Sequence, residues 1–144
     1  MSSLAVVTLV GVVALAGLLW FFLRTRSRDL VTGIMEKRRA GSRIVSAADY
    51  VEGRERIPVA LALTADTFYY ENPDLQASFE LARVDEIEYD TELSVGRSVD
   101  EGHRALRLRS HGATFEFVLP SAEAKKWEAT LPARRIGQPT ARVS

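Results

Sequence analysis

The sequence predicts an α+β protein: an N-terminal transmembrane helix, then a small antiparallel β-roll or barrel of about six or seven strands, capped by a C-terminal helix. Three observations support this prediction. The run Ser3–Leu23 contains no charged residue. Between Ile44 and Leu119, apolar residues recur with a period of two, which is typical of half-buried strands. From Ser121 to Leu131 the period becomes about 3.6, which is typical of an amphipathic helix.

The first stretch, Ser3–Leu23, has the length and composition of a membrane span. As a helix its 21 residues extend about 30 Å, which is the thickness of the hydrocarbon core of a bilayer. A cleaved signal peptide is the alternative, but it has a basic start, an apolar run of about 7 to 15 residues and a small-residue cleavage site. Here the run is longer and ends in the large residues Leu18–Leu23. We therefore expect residues 1–23 to be a retained transmembrane anchor in a lipid bilayer.

Basic residues on one side of the span predict its orientation. Three arginines follow it directly, and no basic side chain precedes it: Arg24, Arg26 and Arg28. Because basic flanks stay in the cytoplasm, we expect the N-terminus outside and the remaining chain in the cytoplasm, at the cell (plasma or inner) membrane. We also expect three aromatic residues to anchor the cytoplasmic interface: Trp20, Phe21 and Phe22.

The net charge of zero conceals a sorting of charge along the chain. Residues 24–43 carry seven basic and two acidic groups, whereas residues 44–133 carry nine basic and seventeen acidic groups. We expect residues 24–43 to be a basic juxtamembrane linker with a hinge at residues 40–42. Whether the anchor helix continues through this linker or a separate amphipathic helix lies on the membrane stays open. The candidate membrane-surface contacts are Arg24, Arg26, Arg28, Lys37, Arg38, Arg39 and Arg43.

The region 44–132 is predicted to be one domain of short strands followed by a helix. Its first segment is ambiguous, because residues 44–45 and 50–51 favour a strand while residues 47–49 could begin a short helix. The later predicted strands are 56–63, 67–70, 76–81, 83–89, 104–109 and 113–119, and residues 93–103 are predicted to form a loop with a weak strand. Ser121 is a candidate N-cap, and Pro132 should end the helix. Residues 133–144 are predicted to be a disordered tail.

Composition argues against several classes of chemistry. The chain has no cysteine, so disulfides, thiolate metal sites and a cysteine nucleophile are excluded. The two histidines, His103 and His111, lie in no recognisable catalytic or metal-binding motif. We therefore expect no enzyme activity, cofactor, metal or small-molecule substrate. The acidic balance of the domain also argues against nucleic-acid binding.

Three blocks of the domain carry a resemblance to a known superfold: VALALTADTFYY (59–70), FELARVDEIEYD (79–90) and RALRLRSHGATFEFVLPSAEAKKWEATL (104–131). The last block, a hairpin followed by a helix with a central Trp127, is the most specific part. Together they resemble the pleckstrin-homology-like (PH-like) superfold, including GRAM-type domains, as found in small bacterial proteins with one membrane helix. The resemblance implies binding of phosphoinositide headgroups or of protein segments. The loop that would bind phosphoinositides offers only Arg54 and Arg56, which departs from the basic pattern of the family.

We therefore expect a non-enzymatic, membrane-tethered interaction or scaffold module with a protein partner. The alternative is a sensor of anionic lipid headgroups that acts through residues 24–43. Four acidic residues are candidate contacts for a basic partner, the simpler reading being a solvated face: Asp85, Glu86, Glu88 and Asp90.

Overall fold

The structure, a computed structural model, describes residues 3–135, which contain two α-helices and eight strands. The helices are α1 (Ser3–Arg39) and α2 (Ser121–Thr130). The strands are β1 (Ile44–Glu52), β2 (Glu55–Leu63), β3 (Thr67–Asn72), β4 (Leu75–Glu80), β5 (Glu86–Asp90), β6 (His103–Ser110), β7 (Ala113–Pro120) and β8 (Arg134–Arg135), with a short 3₁₀ helix at Leu81–Arg83. The predicted α+β class is confirmed.

Helix α1 is one continuous helix of 37 residues, about 55 Å long. It runs through the predicted linker to Arg39, so the first of the two alternatives for residues 24–39 is the correct one. Within the described residues it is the one helix long and apolar enough to cross a membrane, with a mean hydropathy of 2.6 over its most apolar window. None of that window is buried in the protein, which leaves its apolar surface available to lipid.

The eight strands form a single antiparallel sheet in the order β4-β3-β2-β1-β7-β6-β5-β8. The sheet is strongly curved. Strands β4 and β7 are four strand spacings of about 4.8 Å apart in the sheet, yet the ring centres of Phe79 in β4 and Phe115 in β7 are separated by only 4.5 Å. The curvature brings the inner faces of both halves around one core. Phe68, Phe117 and Trp127 are fully buried there.

Strand β2 is buried on both faces. Val59, Leu61 and Leu63 point into the core, while Ala60 and Ala62 lie on the outer face and are equally buried. Helix α1 covers this outer face, where Val31 is only 3% exposed. The small side chains of the two alanines permit the close approach of the helix, which therefore packs on the domain instead of standing free of it.

Several sequence predictions are refined by the structure. The ambiguous first segment is a strand, paired from Ile44↔Leu63 to Glu52↔Glu55. The sheet has eight strands instead of six or seven, because Arg134–Arg135 form β8 in the segment predicted to be disordered. The rest of that predicted tail, residues 136–144, lies outside the described residues. Ser121 is the first helical residue and not the N-cap, a position that Pro120 occupies without a side-chain hydrogen bond.

Helix α2 is fixed to the sheet by a short buried hydrogen-bond chain. The indole Nε1 of Trp127 donates to Ser46 Oγ at 2.9 Å, and Ser46 Oγ donates to a Glu123 carboxylate oxygen at 2.7 Å. This hydroxyl bond is the main cause that lowers the pKa of Glu123 below its usual value. A buried indole N–H needs such a partner. The Ser46 hydroxyl of β1 therefore satisfies both the Trp127 indole N–H and the Glu123 carboxylate of α2.

Candidate functional site

Arg38 of helix α1 forms an ion pair with Glu71 of β3, and we call this contact the Arg38–Glu71 latch. The Arg38 guanidinium donates two hydrogen bonds to the Glu71 carboxylate, with Nε 2.9 Å from Oε2, and its Cζ lies 4.0 Å from the centre of the Tyr69 ring. The hydrogen bond to Glu71 is the main cause that raises the pKa of Arg38. Bidentate arginine–carboxylate pairs are among the stronger polar contacts in proteins. Arg38, which the sequence predicts as a membrane contact, is thus paired with a residue of the domain, while about a third of its side chain stays exposed.

This docking brings one end of the domain back to the part of α1 that adjoins the candidate membrane span. Strand β1 leaves the end of α1 and returns along it, so the β1–β2 turn approaches Trp20 and Leu23. A cleft of about 730 Å³ lies between them, and we call it the membrane-proximal cleft. Its lining residues are Trp20, Leu23, Arg24, Ser27, Arg28, Asp49, Arg54, Arg56, Pro58, Asp100 and His103.

The membrane-proximal cleft carries more positive than negative charge. Four arginines and two aspartates line it. Within residues 3–135, Arg24, Arg28 and Arg54 have no carboxylate within 4.0 Å, and Arg56 lies 3.7 Å from Asp100. Unpaired guanidinium groups that converge on one cavity favour an anion. The cleft therefore has the charge to receive an anionic group.

An apolar crevice of about 390 Å³ continues from the membrane-proximal cleft between α1 and the sheet. Val31, Pro58 and Val118 line it, and Arg28 and His103 border both cavities. No group of three or more His, Asp or Glu side chains among the described residues is arranged to hold a metal. The chemistry that this end of the molecule offers is thus the binding of charge beside an apolar wall.

The other predicted membrane contacts are placed differently from one another. Arg39 pairs with Glu36 at 3.1 Å, and Arg43 lies 3.4 Å from the Thr130 carbonyl. Arg26 and Lys37 are exposed, the latter at the edge of a small groove. The three predicted interface anchors, with about 60% or more of their surface exposed, are uncovered by the protein: Trp20 (61%), Phe21 (65%) and Phe22 (63%).

Three of the four acidic residues predicted to contact a partner lie on β5, namely Glu86, Glu88 and Asp90, and Asp85 directly precedes the strand. We call the surface that these four residues form with Arg107 the β5 face. There Arg107, with 13% of its side chain exposed, reaches three carboxylates: Glu88 at 2.9 Å, Asp90 at 3.5 Å and Glu116 at 3.1 Å. Burial lowers the pKa of Arg107, but its bonds to Glu88 and Glu116 outweigh this and raise it overall. Two of the four predicted contacts are therefore held by an arginine of β6.

The remaining two predicted contacts differ from this pair. Glu86 lies between Arg109 at 3.7 Å and Arg135 at 2.8 Å, whereas Asp85 is exposed and has no ion pair within the described residues. The backbone N–H of Glu92 is the main cause that lowers the pKa of Asp90. The carboxylates of Glu86, Glu88 and Asp90 therefore form ion pairs within the domain, whereas Asp85 and Glu92, at the two ends of the acidic run, have none among the described residues.

Comparison with protein-family models, with curated proteins and with solved structures finds no match to this chain. The site is consequently argued from its own geometry. Sequence reasoning grouped the seven basic residues of 24–43 by position, and it missed that Arg24 and Arg28 converge with Arg54 and Arg56. The signal that pointed to this packing was the pattern of β2, which is apolar on both faces and so needs a cover on each.

Proposed function

We propose that the chain is a non-enzymatic, single-pass membrane protein that holds a PH-like interaction module at the cytoplasmic face of the cell membrane. An uncharged span with basic residues only on its C-terminal side supports the location. The order of seven strands followed by a helix with the buried Trp127 supports the PH-like assignment. The continuous helix α1 supports a fixed position of the module, because it leaves no flexible linker between the span and the Arg38–Glu71 latch.

The membrane-proximal cleft is the observation that supports a specific class of ligand. Its four arginines, of which only Arg56 has a carboxylate within 4.0 Å among the described residues, lie beside Trp20 and Leu23, at the end of the span where lipid headgroups would be. Arg24 also lies over the Trp20 ring, with Cζ 5.1 Å from the ring centre. We therefore propose that the module contacts anionic lipid through Arg24, Arg28, Arg54 and Arg56. This narrows the lipid-sensor alternative from the whole segment 24–43 to its membrane-proximal half together with the β1–β2 turn.

The energetics of this contact suit an anchored protein. Each arginine near an anionic surface contributes about 1 kcal/mol, so a few of them give modest affinity. Modest affinity is sufficient, because the span tethers the arginines to the membrane and so gives them a high effective concentration at its surface. The contact would therefore report the lipid composition and orient the domain, while the span provides the attachment.

The lipid contact is tested by thermal unfolding of the full chain in neutral detergent micelles. Added phosphatidylglycerol is expected to raise the melting temperature, and phosphatidylcholine is not, because a ligand of the folded state stabilises it. The double variant Arg54→Gln, Arg56→Gln should lose most of that rise. Arg97→Gln removes an exposed arginine outside the cleft and should retain it. An equal rise with both lipids, or an equal loss in Arg97→Gln, would contradict the proposal.

The location is tested separately with a single introduced cysteine. Since the chain has no native cysteine, Ser98→Cys places one thiol in an exposed loop of the domain. A membrane-impermeant maleimide should label it only after the cell membrane is opened. Labelling in intact cells would place the domain outside and overturn the cytoplasmic assignment.

A further inference from the structure

Two separate segments cover the outer face of the sheet, and a gap lies between them. Helix α1 covers β2, where Ala60 is 2% exposed. The loop that follows β5 covers β7, because its Leu93 packs against Val118, which is 3% exposed. Strand β1 lies between β2 and β7, and its Ala47, which pairs with Ala60 and faces the same way, is exposed. A small apolar side chain is therefore left uncovered near the centre of the sheet.

This gap is the apolar crevice of about 390 Å³ described above. Six of its ten lining residues are apolar: Val31, Ala47, Ala48, Pro58, Val118 and Pro120. Its volume lies in the range of small-ligand sites, about 300 to 1,000 Å³. A methylene group is about as large as a water molecule, which occupies about 30 Å³ in the liquid, so roughly a dozen methylene groups would fill the crevice. That is most of one acyl chain and too little for two.

The crevice and the membrane-proximal cleft share part of their walls. Arg28, Asp49, Pro58 and His103 line both cavities. From this junction the crevice follows α1 toward Thr32, whereas the cleft follows it toward Trp20. The crevice therefore leads away from the apolar run 3–23, and the cleft leads toward it. An anion held by the arginines of the cleft would have an apolar channel directly beside it.

We propose that the crevice binds the acyl chain of a single-chain anionic lipid, a lysophospholipid, whose headgroup lies on the arginines of the cleft. This inference rests on the proposed function, because it uses the same arginines, and it names the class of lipid. The direction of the crevice favours a single chain. A diacyl lipid in this position would have to extend one chain into the protein and the other into the bilayer, in opposite directions. A single-chain lipid leaves no second chain to be placed.

The headgroup determines which lipid is bound. An acyl chain in a bilayer is already in hydrocarbon, so its transfer into an apolar crevice changes the free energy little. The arginines of the cleft, by contrast, distinguish an anionic headgroup from a zwitterionic one. We therefore expect selectivity for the charge of the headgroup, with the crevice limiting the number of chains.

The test maps the position of the acyl chain. A lysophosphatidylglycerol probe with a photoreactive diazirine at the end of its chain is irradiated with the full protein in neutral detergent micelles, and labelled peptides are identified by mass spectrometry. Labels are expected in the crevice segments 47–49 and 118–120 as well as in the span. A lysophosphatidylcholine probe with the same chain should label these two segments about tenfold less, because its headgroup has no net charge for the arginines to bind.

A matched pair of variants blocks or spares the crevice. Ala47→Phe fills the crevice, so it should reduce the label in 118–120 about tenfold and leave the rise in melting temperature with phosphatidylglycerol unchanged. Ala113→Phe adds the same side chain to an exposed alanine of β7 outside both cavities and should change neither quantity. Thermal unfolding without lipid establishes that each variant is folded. If Ala47→Phe does not fold, Ala47→Leu, which adds less volume, replaces it.

Four results would overturn the inference. The first is a label confined to residues 3–23, and the second is equal labelling of 118–120 by the two lysolipid probes. The third is an equal loss of label in the Ala47 and Ala113 variants. The fourth is equal labelling of 118–120 by a diacyl phosphatidylglycerol probe with the same diazirine, which would make the occupant one chain of a bilayer phospholipid.

The response of the melting temperature to phosphatidylglycerol separates this inference from the proposed function. If the unmodified chain keeps that response and the crevice is not labelled, only the inference about the acyl chain is wrong, and the lipid contact of the cleft stands. If the response is absent as well, the proposed lipid contact fails with it.

Discussion

The membrane-proximal cleft and the β5 face contain the same residue types and use them in opposite ways. In the cleft, Arg24, Arg28 and Arg54 have no carboxylate within 4.0 Å among the described residues, whereas on the β5 face Arg107 alone reaches three. The first arrangement leaves positive charge for a ligand, and the second holds strands β5, β6 and β7 together. Whether a charged residue contributes to binding or to stability therefore depends on its partners in the fold, which the composition of a segment does not reveal.

The largest expected effect comes from removing the centre of the β5 face. Arg107→Ala leaves the Glu116 carboxylate, with 8% of its side chain exposed, without its ion-pair partner, although the Ser94 N–H and hydroxyl still donate to it. Breaking a buried pair on one side costs about 3 kcal/mol, so the free energy of unfolding should fall by that amount. Urea unfolding of the full chain in neutral detergent, followed by near-ultraviolet circular dichroism, measures it. Arg97→Ala serves as the control, and an equal effect of both variants would remove the distinction between the two regions.

The next effect concerns the latch that positions the cleft. Glu71→Gln removes the charge that receives Arg38, and Glu71 is 5% exposed. Hydrogen bonds to charged groups contribute about 1.5 to 3 kcal/mol, so we expect a loss near the lower end of that range, since Arg38 is partly exposed. Hydrogen exchange of the α1 amides after residue 28 should accelerate at the same time. Glu36→Gln, whose partner Arg39 is exposed, should change neither quantity; a similar change in both variants would contradict the latch.

The third prediction concerns the contact between Ser46 and Glu123, whose contribution to stability depends on pH. Ser46→Ala removes the donor to Glu123 and leaves the Trp127 N–H without its acceptor, which should cost about 1 to 2 kcal/mol at neutral pH. Because the folded protein lowers the pKa of Glu123, the part due to this carboxylate is present above the unfolded value of 4.5 and is lost as the pH falls through the folded pKa. The difference between the two proteins should therefore narrow below pH 4.5. A difference that stays constant from neutral pH to acid would contradict this account of Glu123.

The smallest expected effect on stability belongs to the cleft itself. Arg54→Gln removes an exposed guanidinium that has no carboxylate partner within residues 3–135, so the free energy of unfolding should change by less than about 0.5 kcal/mol. The same urea experiment measures it. A loss comparable with that of Arg107→Ala would mean that Arg54 has a structural role, and the two regions would then not differ in the way described.

Much of the fold could be predicted from local pattern. The uncharged run to Leu23, the alternation in segments such as 104–109 and the 3.6-residue period around Trp127 each report the environment of one element. The apolar residues on both faces of β2 indicate that each face is covered, but the packing of α1 on Ala60 and Ala62 could not be predicted, because a local pattern does not tell which distant segment provides the cover. The pairing of Arg38 with Glu71 could not be predicted either, because 33 residues separate them and only the folded sheet brings them together.

In the proposed function, the domain is held in one position beside the membrane, so that the cleft faces the lipid surface. Spin labels at Arg26→Cys on α1 and Ser98→Cys on the domain can be introduced without interference, since the chain has no cysteine. In nanodiscs that contain phosphatidylglycerol, pulsed electron paramagnetic resonance should give one narrow distance distribution, because α1 is continuous to Arg39 and latched at Arg38. A broad distribution, as expected of a domain that pivots about residues 40–43, would contradict the account.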